Sequence, residues 1–421
     1  MPAIVALVAG NFPRERRSAA YGLIAAASAI AVAAGPLIGG AVTTFASWRW
    51  VFAAEAVIVV LILAALRKIQ DAAATGRADF DVVGALLSIA GLSLTVFGVL
   101  RSGTWGWVHA KPTGPKLLGT SPVLWLVVGG LLVIYCFFLW EGHVESSGRE
   151  PLVSPPMLRN WQLAGGLSMF FFQFLIQAGV FFTIPLFLSV VLELSAALQT
   201  GIRLLPLSLA LLLAAIGIPR LAPAARPRLI VRLGLLSMTA GTLVLIGGIS
   251  PGAGAGIVAV PMLLMGLGMG ALASQLGAIT GSAVPDDQSA EVGGLQNTVT
   301  SLGASLGTAL VGRVLISSLT AGLIHGIEAS SAIPADVKTH ATTQLSAGVP
   351  FISDTDLRAQ LAKASVPAGQ ADAVVQANSD ARLGALRDAL RIVALLAVAA
   401  IFLTGLIPTG QHTDESSSTP A

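Results

Sequence analysis

Few side chains in this sequence could do chemistry, and those that could sit inside long apolar runs. Glu55, about two turns into "WRWVFAAEAVIVVLILAAL", places a titratable carboxyl at a depth where charging it is expensive. Such a group either carries a proton whose arrival changes the preferred conformation, or faces the outer rim or a polar partner; both readings stand. The amides Gln173, Gln177, Gln275, Gln296 and Asn297, with Ser274, could line a polar cavity, because an amide in lipid needs a partner and a bound molecule can supply one. Interhelical hydrogen bonding is the rival reading. Gln173 and Gln177 are one helical turn apart on one face. Glu193, Arg203 and Arg313 fall near the outer ends of apolar runs, where solvation and snorkelling account for them.

Other chemistry is poorly provided for. His109, His143, His325, His340 and His412 are scattered, and no H-E-x-x-H, G-x-S-x-G or phosphate loop occurs, so neither an enzyme nor a metal centre is expected. The single cysteine, Cys136, lies inside an apolar run and reads as a small packing residue.

The elements that carry these groups follow from composition. The chain has 421 residues, 55% apolar and only 11% charged, where a soluble domain is about a quarter charged. A spanning helix needs about 20 mostly apolar residues. Ten complete runs of that kind appear, at about 18–46, 48–67, 80–101, 121–141, 162–192, 198–219, 229–249, 255–284, 290–317 and 386–408. They lack the alternation of barrel strands, so the fold class is an all-α polytopic membrane protein, with the lipid bilayer as its first partner.

Orientation follows from the short loops. One set carries Arg14, Arg16, Arg17, Arg67, Lys68, Arg77, Arg149, Arg159, Arg220, Arg226, Arg228 and Arg232; the alternate set carries Arg49, Arg101, Lys111, Lys116 and Arg203. The richer set is expected on the cytoplasmic side, which also places the tail "PTGQHTDESSSTPA" there. Arg382, Arg387 and Arg391 run against the rule locally. The segment 320–382, Ala-, Ser- and Asp-rich with helical stretches such as "DTDLRAQLAKAS", reads as an outer-face excursion. The net charge of +3 reflects the loop bias, and no Lys/Arg run is dense enough for a nucleic-acid surface.

The first apolar stretch, "MPAIVALVAGN", supplies only about 16 Å of helix before the basic cluster "FPRERRS", half of a membrane. It lacks the basic region that should precede a signal core. The expectation is one partial span and a missing upstream portion.

The span at 18–46 carries a spaced set of small residues: Gly22, Ala31, Gly35-Pro36 and Gly39-Gly40. Pro36 should bend the helix near Val32. Gly35 and Gly39 share a face on which a neighbouring helix could approach closely, and the pairs Gly266/Gly270, Gly277/Gly281 and Gly303/Gly307 suggest the same elsewhere. The full spacing resembles the antiporter motif in the fifth helix of major facilitator superfamily drug exporters, with Ala31 in place of the usual glycine. "SWRWVF", "DFDVVGALLSIAGLSLTVFGVL", "REPLVSPPMLRNWQ", "LQTGIRLLPLSLALLLAA" and "AVPDDQSAEVGGLQNTVTSLGASLGTALVG" resemble successive parts of its fourteen-helix drug/proton antiporter branch, the EmrB/QacA type.

The resemblance implies a major facilitator fold lacking the first three helices, with ten full spans and one partial. On that scheme 1–69 is the remainder of the N-terminal helical bundle, 70–160 two central extra helices, 161–408 the C-terminal bundle, and 409–421 a cytoplasmic tail. It further implies a multi-pass plasma-membrane multidrug exporter that exchanges amphipathic or cationic small molecules for protons by alternating access, driven by the proton gradient with no cofactor. Glu55 stands where that family more often has Asn, and Arg14, Arg16 and Arg17 fall in its basic loop. The alternative is a truncated, non-transporting remnant or a partner subunit of the same family.

Overall fold

The computed structural model describes residues 31, 34, 35, 37–66, 81–110, 114–149, 151–194, 197–222, 224–250, 252–285, 288–334, 338, 345 and 349–407. Gly22, Pro36, Arg14, Arg16, Arg17, the half-span at the start and the tail after 407 lie outside them. A helical stretch at 37–45 is followed by α1 (Trp48–Leu66), α2 (Val82–Trp105), α3 (Pro122–Ser146), α4 (Trp161–Leu186), α5 (Ala197–Leu221), α6 (Pro227–Gly248), α7 (Ala259–Gly281), α8 (Ser289–Ala329), α9 (Asp354–Lys363) and α10 (Ala368–Leu403). All of these except the stretch 37–45 and α9 are long and apolar enough to cross a membrane, which gives nine such helices among the described residues. They match nine of the ten expected runs; the tenth, 18–46, lies mostly outside the description.

Local chemistry sets the helix starts. The Asp81 side chain accepts the Gly84 N–H at the head of α2. Ser121 caps α3 just before Pro122, whose missing N–H costs nothing in a first turn. Asn160 Oδ1 accepts from Gln162 and Leu163 to open α4. Near the other end of α4, Pro185 cannot donate, and the chain relaxes into a π-turn over Phe187–Val191.

Between helices in lipid, packing rather than hydrophobic transfer drives association, so small residues mark the contacts. α2 and α3 form a hairpin in which Gly91 and Gly130 face each other, with Gly130 O 3.2 Å from the point a Gly91 Cβ would occupy. α4 to α8 and α10 form the main bundle. Gly303 and Gly307 of α8 lie against the α4 backbone at Phe171 and Leu175, and Gly266 and Gly270 of α7 against the α5 backbone at Leu207 and Leu211. Gly277 and Gly281, expected to pack likewise, have nothing within 4 Å of an added Cβ among the described residues. The buried centre of this bundle holds Met169, Ile176, Val180, Met265, Leu272 and Val311. α1, by contrast, exposes apolar side chains all round.

The segment 320–382 differs from its expected form as a loop. α8 continues to Ala329 and α10 begins at Ala368, so both ends of the supposed excursion belong to spanning helices. At 41 and 36 residues these helices are about 62 and 54 Å long, well beyond the roughly 30 Å of hydrocarbon. They stay paired over this extra length, because Gly322 and Gly326 let α8 approach Ala381 and Ala377 of α10. The expected helix at "DTDLRAQLAK" is α9, capped by Ser353, whose hydroxyl accepts the Asp356 N–H at 3.1 Å.

Candidate functional site

Two polar seams tie the helices together, one at each end. At the end that the loop charges predict to be cytoplasmic, Asp81 accepts the Trp140 indole N–H on both oxygens, at 3.0 and 2.9 Å. The next residue of α3, Glu141, is fully buried, and its Oε2 accepts the Leu152 N–H at 2.7 Å and the Val153 N–H at 3.4 Å. Glu291 of α8 accepts the Ser154 N–H at 3.1 Å. Two carboxylates thus hold three successive backbone donors of the connection between the α2–α3 hairpin and the main bundle. Beside them, Asn160 and Gln162 at the head of α4 donate to Ala283 O and Ile279 O.

At the opposite end, predicted to be the outer one, the tying groups are arginines. Arg313 of α8 donates to Ser102 O and Gly103 O, both at 3.2 Å, and so satisfies carbonyls in the last turn of α2. Arg387 of α10 donates to Ile249 O at the end of α6. Arg382, 1% exposed, donates to Val190 O and Ile352 O and pairs with Asp354 of α9 at 2.5 Å. A groove of about 690 Å³ runs between the outer halves of α8 and α10, lined by Ser318, His325, Gln376, Asp380 and Asp388.

Glu193 follows α4 in a left-handed conformation, φ 50°, and clasps α9 by accepting the Thr355 hydroxyl at 2.7 Å and its N–H at 3.2 Å. The Thr355 hydroxyl, then the Thr355 N–H, hold this carboxyl below its ordinary value, against a smaller opposing effect of burial and with help from Arg382. A depressed carboxylate contributes stability that is complete above its unfolded value and fades as pH falls through the folded one. Hydrogen exchange over 353–363 should therefore quicken relative to the bundle once the pH drops below 4.5, and Glu193→Gln should remove that pH dependence. Equal pH dependence in the variant would show that the clasp does not titrate.

The residues singled out from sequence do not gather into one site. Gln173 is buried in α4 with no partner for its Oε1, and Gln177 is half-buried. Gln275 donates to the adjacent Ser274, while Asn297 is exposed. The Gln296 amide reaches Thr280 across α7 and α8, the interhelical role that rivalled a cavity role. Glu55 lies exposed on α1. Ala31 and Gly35 are helical and exposed, and among the described residues nothing lies within 4 Å of a Cβ added at Gly35 or Gly39. The contact expected of them is made by Gly40, where an added Cβ would lie 2.8 Å from Ala197 O, and by Thr44, whose hydroxyl accepts the Leu198 N–H at 2.9 Å. Asp81, Glu141 and Arg382, missed as site candidates, gave a weak signal. Each stands near the end of a span, where a charge reads as solvated.

Helices, seams and apolar surface together define a multi-pass helical membrane protein. Residues 1–308 match the Major Facilitator Superfamily, and the chain belongs to that superfamily. It is similar to the tetracenomycin C resistance and export protein of Streptomyces glaucescens, 28% identical over 75% of this chain and 56% of the relative. It is likewise similar to the puromycin resistance protein of Streptomyces alboniger, 27% over 80% and 65%, and to the multidrug resistance protein Stp of Mycobacterium tuberculosis, 25% over 81% and 60%. The chain thus spans about three fifths of the length of these curated relatives.

Proposed function

We propose that this chain acts in proton-coupled export of amphipathic, often cationic, small molecules across the plasma membrane. It would work by alternating access, as a member of the fourteen-helix drug/proton antiporter branch, the EmrB/QacA type, represented here by ten full spans and one partial, with its tail in the cytoplasm. Its relatives' names supply the substrate class: antibiotics and drugs that are exported or resisted. The observation that carries the mechanism is the contact of the stretch 37–45 with the head of α5. Gly40 brings backbone against backbone there and Thr44 adds one hydrogen bond, so the motif-bearing helix meets the main bundle at its outer end. Among the described residues this contact is small and local, and a contact of that kind can be broken and remade at low cost as two helical groups rock.

The test is dye movement in vesicles reconstituted with the purified chain. In antiport, protons leaving an acidic lumen draw substrate inward, so a cationic dye should accumulate in acid-loaded vesicles and be released by a protonophore. Folded protein that moves no dye under this gradient would overturn the reading.

A further inference from the structure

The geometry points to a proton-binding site at the cytoplasmic seam, in which Glu141 and Asp81 hold one proton between Oε1 of the first and Oδ2 of the second. Glu141 is wholly buried, and although its Oε2 is satisfied by Leu152 and Val153, its Oε1 has no hydrogen-bond partner among the described residues. That oxygen is aimed at a small space that exists because residue 84 is glycine. A Cβ added there would overlap both Glu141 Oε1 and Asp81 Oδ2, so the two oxygens flank the same point.

The groups facing this point decide what fills it. Asp81 comes from α2 and Glu291 from α8, both acidic, while the connection 151–154 contributes only backbone donors. On α3 itself Trp140 donates to Asp81, and His143 and Glu145 are exposed. Among the described residues no lysine or arginine forms an ion pair with Asp81, Glu141 or Glu291. Among the described residues, then, a buried carboxylate oxygen has no donor, which is costly, and two adjacent carboxylates have no paired cation, which adds repulsion to that cost. One proton removes both penalties, because a Glu141 hydroxyl at Oε1 donates to Asp81 Oδ2. Asp81 in turn accepts from the Trp140 indole and the Gly84 N–H at the head of α2.

The site is level with the first turn of α2, beside the connection to α4. It is therefore reached from the end of the helices at which α2 begins, the one that the loop charges predict to be cytoplasmic, apart from the bundle core. It is independent of the export reading, and its test uses no transport assay. Infrared spectra of the purified chain in lipid at neutral pH should contain a protonated-carboxyl stretching band that shifts in deuterated water. The band should disappear in Glu141→Gln and shift in Asp81→Asn. Gln keeps an acceptor for the Leu152 N–H and offers an amide donor to Asp81, so the variant should melt close to the parent chain. A band unchanged in Glu141→Gln would overturn the assignment. So would a parent chain without the band whose melting temperature rises with added Na⁺ while that of Glu141→Gln does not, which would make the site a metal-cation site instead.

Discussion

Gly303→Leu is expected to separate α4 from α8 and to leave a chain that scarcely folds. A Cβ at 303 would overlap the carbonyl oxygen of Phe171, with Phe171 C at 3.2 Å and Leu175 N at 3.3 Å behind it. These are backbone atoms of a neighbouring helix, so no rotamer change can absorb the added volume. Overpacking a core usually costs about 1–3 kcal/mol where side chains can yield. Here the helices must part, and the cost should be about 3 kcal/mol or more, with Gly307→Leu equivalent through Leu175. Gly294 on the same helix has nothing within 4 Å, and Gly294→Ala should be neutral or should stabilise by up to about 1 kcal/mol, the helix preference of Ala over Gly. Thermal unfolding of the three purified variants in detergent checks the contrast. Similar melting temperatures for Gly303→Leu and Gly294→Ala would refute the backbone contact.

These glycines also show what could be read without the fold. The nine helices of spanning length among the described residues were legible because hydrocarbon demands about 20 apolar residues and punishes charge, a constraint strong enough to leave its mark in composition alone. Which face of a helix packs is a weaker signal. Gly303/Gly307 and Gly277/Gly281 have the same spacing, yet the first pair touches a neighbour's backbone and the second faces open space. Spacing states that close approach is sterically allowed, and only the arrangement of the other helices says whether it happens.

The outer parts of α8 and α10 were hidden for a different reason. Beyond the lipid, a helix needs no apolar run, so "AGQADAVVQANSDARLGALR" lacks the hydropathy that marks a span although its residues are mostly good helix formers. Its polar members looked like solvent-facing loop, yet Asn378 and Arg382 are each 1% exposed. Glu141 was illegible because its burial depends on the connection 147–160 folding back over it. Its partners, Leu152 and Val153, bear no periodic relation to it in sequence.

Arg382→Met should be the second most damaging single change among the described residues. The guanidinium is where three elements meet: it donates to Val190 O after α4, at 3.1 Å, and to Ile352 O before α9, at 2.9 Å, and it pairs with Asp354. Met fills much of the same volume, so the loss is electrostatic and not a cavity. Removing one partner of a fully buried pair costs about 3–5 kcal/mol. The Asp354 side chain keeps 34% exposure and can be partly rehydrated, so about 2–4 kcal/mol is expected. The sign of the coupling separates the two sources of that loss. If the stranded Asp354 charge dominates, Arg382→Met/Asp354→Leu should be more stable than Arg382→Met alone. If the orphaned carbonyls of Val190 and Ile352 dominate, the second change should recover nothing. Because one charge is nearly dry and the other is not, partial recovery of about 1 kcal/mol is expected in a double-mutant cycle read by thermal unfolding. A parent-like melting temperature for Arg382→Met would mean that the outer ends of α4, α9 and α10 are held by apolar packing alone.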